Sequence, residues 1–546
     1  MKIDMKKLYS LILAVVAVVA IVASCKKDDF KDKYVDPSKT TAVSCDKLMT
    51  GTFMFGRDYT FNAYWRMYTW DNYFGKLCQN IGTGTDSGSM YFINDGYATD
   101  RWNNFYKVLR NYRIMQETYD KETEAEQTRD RIFLALTEVF IYDHLSQLVD
   151  IFGPVPFTNA CYLPITGNMA GSYASYDSDV ELYKMMLTNL DALYTEIGTL
   201  ATNLVPEAAS ALPKQDFING GDLEKWQSYA NALLLRLGVH VAAQGSLTAE
   251  GKAAVAKAAG RKLPTDWESS IKVNSDFDGF NYWENFRDSW KDINATASQG
   301  VIDAFRVSGA DDPRLAVVYI PNEAGEYYGE GYHETSKEQS DHNTYDGYAN
   351  RYYAALNRAT FTYNNLFVSP VFSAAEAYFL LAEAYSQGYA SGSAEDAFKK
   401  AIAASIEQYY AENVNSSQEK GGPGSGNEYF KKFTADDVPS SADALAFAGN
   451  VWAAYGNKLE GIMTQKWAHF GITQPTQAWT DIRRTGYPAL TYPTDTGSGV
   501  KVANIVNRVK YPNIEATNNT ANYEANKSNV GGDDANFTLF WAKSLK

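Results

Sequence analysis

The chain has few of the residues that most often carry out catalysis or hold metals. Its 546 residues include only four cysteines and five histidines. If Cys25 carries lipid, as argued below, three cysteines remain, so no disulfide framework is predicted, and no cysteine spacing suits zinc. The sequences His-Glu-x-x-His, Gly-x-Ser-x-Gly and the Walker loop are all absent. The sequence therefore favours binding over catalysis, and we expect no enzyme activity.

Positive charge is also scarce. Lysine and arginine number 50 against 65 acidic residues, a net charge of −15, and no basic cluster follows the first thirty residues. Binding to nucleic acid requires concentrated positive charge that neutralises phosphates. Nucleic acid is therefore excluded as a predicted partner.

The first thirty residues are typical of a lipoprotein signal. Three lysines precede an apolar run over residues 11–22, which is too short to span a bilayer comfortably, and Ala23-Ser24-Cys25 follows. We predict that residues 1–24 are removed, that Cys25 carries acyl chains, and that residues 25–45 form a tether to a membrane. An anchor that is not cleaved is the alternative. The charged tag over residues 26–29 resembles the surface-export signal of Bacteroidota lipoproteins, which implies the outer cell face.

Apolar residues recur at helical spacing along most of the remaining chain. The pattern predicts helices over residues 100–119, 126–151, 177–200 and 221–243. A further pair matches the tetratricopeptide pattern, with small residues that let its helices approach and larger ones that fill the space between them: Tyr378, Leu381, Ala382, Tyr385, Ala394, Phe398 and Ala401. Another pair is expected within residues 441–470. Because such units bury their apolar faces only by stacking, we predict a mainly α scaffold of about four helix pairs in one domain over residues 46–546.

Long irregular segments separate these helices. They cover residues 80–99 and 274–353, which are rich in aromatic residues, and the glycine-rich residues 421–426, and the tail from residue 491 is predicted to be irregular as well. Tyrosine (39), phenylalanine (27) and tryptophan (11) make up 14% of the chain. Flat rings with polar tips suit wet binding surfaces, and long loops are often functional.

Candidate ligand-binding residues are the aromatic residues that lie in these loops beside hydrogen-bonding side chains. They are Tyr91, Phe92, Trp283, Trp290, Tyr327, Tyr328, Tyr332 and Tyr348. Packing within the core is the alternative for Trp283. For the tyrosine run over residues 327–353, contact with a partner protein or folded-back packing is the alternative. Trp102, Trp226 and Trp479 are predicted to be structural.

One short motif is similar to the start of a calcium loop. Asn274, Asp276 and Asp278 alternate before Gly279, but the twelfth position is Asn285, where a bidentate carboxylate is needed. A plain turn rich in aspartate is therefore the prediction, without metal or cofactor, and calcium is the alternative.

Five blocks of sequence, in the same order, resemble the SusD/RagB family of nutrient-binding outer-membrane lipoproteins. They are Tyr142-Asp143-His144 through Phe152-Gly153-Pro154-Val155-Pro156-Phe157, Gly221-Asp222-Leu223-Glu224-Lys225-Trp226 through Leu234-Leu235-Arg236-Leu237, Asp312-Pro313-Arg314-Leu315, the helix over residues 375–384, and Ala478-Trp479 through Arg483-Arg484-Thr485-Gly486-Tyr487-Pro488. The resemblance covers nearly the whole mature chain.

This resemblance implies a lid-like protein on a SusC-like, TonB-dependent transporter in the outer membrane. It would bind an oligosaccharide or a peptide nutrient on the extracellular face and deliver it unaltered. The loops depart from those of starch-binding relatives, so the resemblance does not carry over a ligand. Two other functions stay open: a scaffold that grips only proteins, and a surface glycoside hydrolase, although no carboxylate spacing singles out an acid and a nucleophile.

Overall fold

The computed structural model of the protein describes most of the chain beyond the tether. The described residues are 43–62, 66–82, 93–274, 296–331, 352–361, 364, 366–417, 430–492 and 506–543. Residues Cys45–Lys546 form one unit, and Met1–Ser44 form another. Every element below belongs to the larger unit.

Helices dominate that unit, and the predicted mainly α fold is confirmed. They are α1 (Cys45–Thr60), α2 (Asn72–Leu77), α3 (Asp95–Asp120), α4 (Glu124–Phe152), α5 (Leu163–Thr166), α6 (Asp179–Thr202), α7 (Pro206–Gln215), α8 (Leu223–Ala242), α9 (Thr248–Ala259), α10 (Gln299–Arg306), α11 (Pro313–Val318), α12 (Ala374–Ser386), α13 (Ala394–Val414), α14 (Ser441–Ala454), α15 (Lys458–Phe470), α16 (Pro475–Thr485), α17 (Asn513–Asn518) and α18 (Thr520–Lys527).

The strands are few and short among the described residues. They are β1 (Ile271–Asn274), β2 (Tyr319–Ile320), β3 (Ala355–Leu356) and β4 (Val368–Phe372). β1 pairs with β4 and β2 with β3, both antiparallel. The tail was predicted to be irregular, and this prediction was wrong for residues 513–527, which form α17 and α18.

Side-chain caps explain where the long helices begin and end. α3 begins at Asp95, earlier than predicted, because the Asn94 side chain accepts a hydrogen bond from the Gly96 amide (2.8 Å). α4 begins at a capping box formed by Thr123 and Glu126. It ends where Gly153 takes a φ of +84°, ahead of a proline that lacks the amide donor.

Helix α4 lies at the centre of the core. It is the one described helix that is long and apolar enough to cross a membrane, but 89% of its most apolar window is buried inside the protein. Its neighbours α3, α6 and α1 cover it. It is therefore the core helix of a folded domain.

The predicted tetratricopeptide pair packs as expected, with one correction. α12 lies against α13, and Ala382, Ala401 and Phe398 are fully buried. Tyr378 and Tyr385, which were expected to fill the space between the helices, are only half-buried. Phe379 fills it instead, at 6.1 Å from Phe398 between ring centroids.

Four of the five sequence blocks meet inside the protein through buried ion pairs, and the block at residues 312–315 holds one within itself. Arg236 donates to both carboxylate oxygens of Glu376 (2.6 and 2.8 Å) and to Asp143 (3.2 Å). Arg484 pairs in the same way with Glu383, and Arg314 with the carboxylate of Asp312 (2.7 Å). The predicted structural tryptophans are buried as well: Trp102, Trp226 and Trp479. These blocks therefore specify the scaffold.

Candidate functional site

One place in the scaffold adjoins the three chain segments that carry the candidate aromatic residues, 83–92, 275–295 and 332–351. Ile81 pairs with Ala297, and the Gly82 amide donates to the Thr296 carbonyl (3.0 Å). On the other side, the Glu330 amide donates to the Ala297 carbonyl (2.8 Å), and the Ala297 amide donates to the Ala354 carbonyl (2.9 Å). We call residues 81–82, 296–298, 328–330 and 354–355 the loop junction. Gly82, Thr296, Gly331 and Tyr352 adjoin the segments 83–92, 275–295 and 332–351, so each segment has at least one described end at or beside the loop junction.

Two glycines permit this close approach. A Cβ atom on Gly329 would lie 2.5 Å from the Gln299 nitrogen and 2.6 Å from the Ser298 carbonyl carbon. A Cβ on Gly82 would lie 1.9 Å from the Thr296 hydroxyl oxygen. Such distances are far inside van der Waals contact, so a side chain at either position would push the segments apart.

A buried carboxylate joins two of the segments. Glu330 is fully buried, and its Oε2 accepts a hydrogen bond from the Thr296 hydroxyl (2.6 Å). Gln299 adds a second link, since its side-chain oxygen accepts from the Gly329 amide (2.8 Å). Polar contacts between segments therefore hold the loop junction together.

Three tyrosines form an aromatic surface at the loop junction, and we call Tyr328, Tyr352 and Tyr353 the tyrosine platform. Their ring centroids lie 5.2 to 5.9 Å apart, with Tyr328 stacked on Tyr353. Tyr353 is 3% exposed, whereas Tyr328 is 38% and Tyr352 is 43% exposed. The Ala354 amide donates to the Tyr328 carbonyl (2.7 Å), which fixes the backbone beneath the rings. The platform thus presents two rings to solvent on a rigid base.

The Tyr327 ring lies beside Arg306 and is not part of the tyrosine platform. It is half-buried, and the guanidinium carbon of Arg306 lies 5.6 Å from its ring centroid. Arg306 also donates to the Tyr327 carbonyl (3.0 Å). Burial raises the pKa of the Tyr327 phenol, so the hydroxyl stays protonated at neutral pH and can donate a hydrogen bond.

A cleft of about 460 Å³ lies beside the loop junction. Its lining includes Gln79, Gln299, Asp303, Glu330, Glu460 and Trp467. Trp467 is almost wholly buried, and its indole nitrogen donates to the Cys78 carbonyl (2.8 Å). Amides and carboxylates at the wall of a cleft suit the hydroxyl groups of a polar ligand.

Some polar side chains of the predicted loops serve the scaffold. Asn80 is buried and donates to the Trp467 carbonyl (3.0 Å). Asp95 accepts a hydrogen bond from the Asn513 amide (2.9 Å). These two side chains anchor the first loop at its ends.

Among the described residues, one group of three potential metal ligands lies together: Cys45, Glu122 and Asp130. Burial and the neighbouring Glu122 raise the pKa of the Cys45 thiol well above its ordinary value. Arg129 already donates two hydrogen bonds to Asp130 (2.5 and 2.8 Å). The Cys45 thiol donates a hydrogen bond to Glu122 (3.4 Å), so these contacts link the start of α1 to the turn between α3 and α4.

The structure describes only part of the predicted site. Tyr328 lies on the tyrosine platform and Tyr327 beside it, and Asn274 is exposed at the end of β1. The other predicted residues lie outside the described part of the chain: Cys25, Tyr91, Phe92, Asp276, Asp278, Trp283, Trp290, Tyr332 and Tyr348. Sequence reasoning did not select Tyr352, although it belongs to the same tyrosine run. It also missed the cleft residues of α15, because their approach to the loops depends on tertiary packing alone.

Comparison with known proteins gives one family and many similar folds. The family model described as "SusD-like: Susd and RagB outer membrane lipoprotein" matches residues 49–543. No curated protein matches the sequence.

Similar solved structures include three proteins at low sequence identity. A chitin-binding protein has a TM-score of 0.70 and 22% identity, and the match covers 91% of this chain and 99% of that one. A SusD homologue from Bacteroides fragilis has a TM-score of 0.69 and 20% identity, covering 92% and 100%. A chitin-binding SusD homologue from Flavobacterium johnsoniae has a TM-score of 0.66 and 20% identity, covering 91% and 99%. At these identities the likeness establishes the fold.

Proposed function

This chain belongs to the SusD-like family of outer membrane lipoproteins, and on that premise we propose that it binds a nutrient oligomer at the cell surface. The ligand is a glycan, with a peptide as the second candidate. The protein passes it, chemically unaltered, to a TonB-dependent transporter in the outer membrane. No cofactor is required for this function.

The exposed aromatic rings at the loop junction carry this proposal. Tyr328 and Tyr352 present these rings, and Ser298 and Glu330 of the same junction line the cleft. Sugar rings offer apolar C–H faces to aromatic rings and hydroxyl groups to amides and carboxylates. The platform and the polar side chains of the cleft lining therefore offer partners for both features of a saccharide. Peptides offer fewer hydroxyl groups for these side chains, which is why we rank them second.

The relatives favour the same ligand class. Two of the solved structures with this fold are described as chitin-binding proteins. An amino-sugar polymer is therefore the first ligand to test, followed by neutral and acidic polysaccharides.

The proposed site extends to the aromatic candidates that lie outside the described residues. We propose ligand contacts from the residues predicted in the three loops: Tyr91, Phe92, Trp283, Trp290, Tyr332 and Tyr348. Changing Tyr91 or Trp283 to alanine should weaken glycan retention and leave the melting temperature nearly unchanged. Unaltered retention in both variants would remove them from the site.

Attachment to the membrane is proposed to be through lipid on Cys25, on the outer face of the cell. Mass spectrometry of the mature protein should find acyl groups on that cysteine, and added protease should digest the protein on intact cells. A first residue without acyl chains, or complete protection from protease, would contradict the proposed location.

Retention on polysaccharide gels tests the binding function. Native electrophoresis through gels that contain chitin derivatives, other polysaccharides or no additive should show slowed migration with one glycan class. The same polysaccharides incubated with the protein should stay uncut. Release of shorter products would support the hydrolase alternative. Normal migration in every gel would exclude a glycan as the ligand.

Gentle detergent extraction tests the transporter. Purification through a tag on this chain should recover a large β-barrel protein as the main partner. Recovery of assorted soluble proteins without a barrel would support the scaffold alternative.

A further inference from the structure

One arginine that lines a small cavity of the scaffold forms no ion pair within the described part of the chain. The cavity has a volume of about 40 Å³, and its lining includes Arg66, Arg101 and Arg236. Arg66 pairs with Asp71 (3.1 Å), and Arg236 pairs with Glu376 (2.6 Å). Among the described residues, neither terminal nitrogen of Arg101 has a hydrogen-bond partner. Arg101 is therefore the exception among the three.

Arg101 is both buried and fixed in place. It is 2% exposed, and its guanidinium carbon lies 4.7 Å from the centroid of the Tyr59 ring. The ring supports one face of the guanidinium group but accepts no hydrogen bond from its edge. Burial lowers the pKa of Arg101 to about 10, so the side chain is still charged at neutral pH. Five N–H donors of an arginine rarely stay unpaired in a protein interior.

The carboxylates around the cavity are already engaged. Asp143 accepts hydrogen bonds from Arg236 (3.2 Å) and from the Tyr229 hydroxyl (2.5 Å). Asp71 accepts from Asn62 (3.2 Å) in addition to its pair with Arg66. The protein therefore supplies partners for the other two arginines and leaves Arg101 facing the cavity.

We propose that the cavity at Arg101 binds one small monovalent anion, such as chloride. A buried water needs about 10–15 Å³ of cavity volume. The cavity of about 40 Å³ therefore admits a halide ion together with a water. It is too small for a sugar acid. His144 lines the same cavity and its Nδ1 is an unpartnered acceptor, which a water can serve. The site is independent of the proposed nutrient-binding function, because it lies inside the scaffold.

Unfolding at constant ionic strength tests this proposal. Urea unfolding of the purified protein is measured as sodium gluconate is replaced by sodium chloride. Above the dissociation constant of the anion, each tenfold rise in chloride should lower the unfolding equilibrium constant about tenfold. Equal unfolding midpoints in chloride and gluconate would overturn the proposal.

Two variants of helix α3 show where the anion binds. Arg101→Gln should lose the dependence on chloride. Arg113→Gln is the matched control, because Arg113 is a buried arginine of the same helix whose terminal nitrogens donate to Gln116 and to the Phe157 carbonyl (2.8 Å each). This control should keep the dependence. If Arg101→Gln keeps it as well, the proposed site is wrong.

Crystals of the unaltered protein give a readout that requires no variant. After growth in sodium bromide, an anomalous peak should lie within hydrogen-bond distance of the Arg101 terminal nitrogens. A cavity that holds only water, without an anomalous peak, would overturn the proposal even if the Arg101 variant fails to fold.

Discussion

The substitution Gly329→Ala tests whether close backbone approach holds the loop junction together. The added Cβ would lie 2.5 to 2.7 Å from three backbone atoms of Ser298 and Gln299. If the two segments stay in place, the steric overlap costs about 1–3 kcal/mol, as at an overpacked site in a core. They can instead separate and lose the two hydrogen bonds between residue 330 and residues 297 and 299 (2.8 and 3.1 Å), which also costs about 1–3 kcal/mol in total.

Both routes predict the same loss of stability, so urea unfolding is the assay. The free energy of unfolding should fall by about 1–3 kcal/mol, and hydrogen exchange should speed up in peptides that contain residues 297–299 and 328–330. Gly456→Ala is the control, because a Cβ there meets no atom within 4 Å and its φ is not positive. If Gly329→Ala matches this control in both measurements, the account of the loop junction is wrong.

Two further predictions concern the scaffold. Glu376→Gln removes the charge of the bidentate partner of the buried Arg236 and leaves Asp143 as its remaining carboxylate, so it should lower the free energy of unfolding by about 1.5–3 kcal/mol. Glu224→Gln, in an exposed pair, should cost about 0–1 kcal/mol, and equal losses in urea unfolding would contradict the burial argument. Burial raises the pKa of Asp150 from 3.8 to about 7, so the folded state takes up a proton that the unfolded state does not, and stability should fall as pH rises from about 4 to 7. Asp150→Asn should flatten this decline in unfolding measured between pH 4 and 8, and an unchanged slope would contradict the raised pKa.

Local patterns in the sequence predicted most of the scaffold. Helical spacing located α3, α4, α6 and α8 within a few residues, because one face of each packs on the core. The start of α3 was misplaced, since the cap at Asn94 stands six residues before residue 100, where the periodic pattern predicted the start. The cap could be recognised in principle from Asn94 followed by Asp95. The aromatic residues just before it instead led to the prediction of a loop up to residue 99.

Packing between helices was harder to predict. The sequence indicated that Tyr378 and Tyr385 fill the space between α12 and α13, whereas each lies at the edge of that space. The Tyr385 ring packs against Gly392, where a Cβ would lie 2.4 Å from the ring. A helical pattern identifies the face of a residue, and it does not say which of two neighbouring rings reaches the centre.

The candidate site could be predicted from the sequence only as separate loops. Aromatic residues among asparagine and glycine marked each loop, but pairing such as that of Ile81 with Ala297 links residues more than two hundred positions apart. Periodicity carries no information on contacts of this kind. The cleft wall from α15, with Glu460 and Trp467, was missed for the same reason.

Isothermal titration calorimetry of a tyrosine-platform variant with the ligand tests the central claim most directly. The ligand is an oligosaccharide of the glycan class that the gels identify, and the variant carries both Tyr328→Ala and Tyr352→Ala. Because exposed aromatic anchors often dominate binding energy, affinity should fall at least about tenfold. Tyr173→Ala is the control, since Tyr173 is 56% exposed outside the loop junction, and it should bind as the unaltered protein does. Equal affinity of the double variant and this control would contradict the claim that the platform binds the ligand.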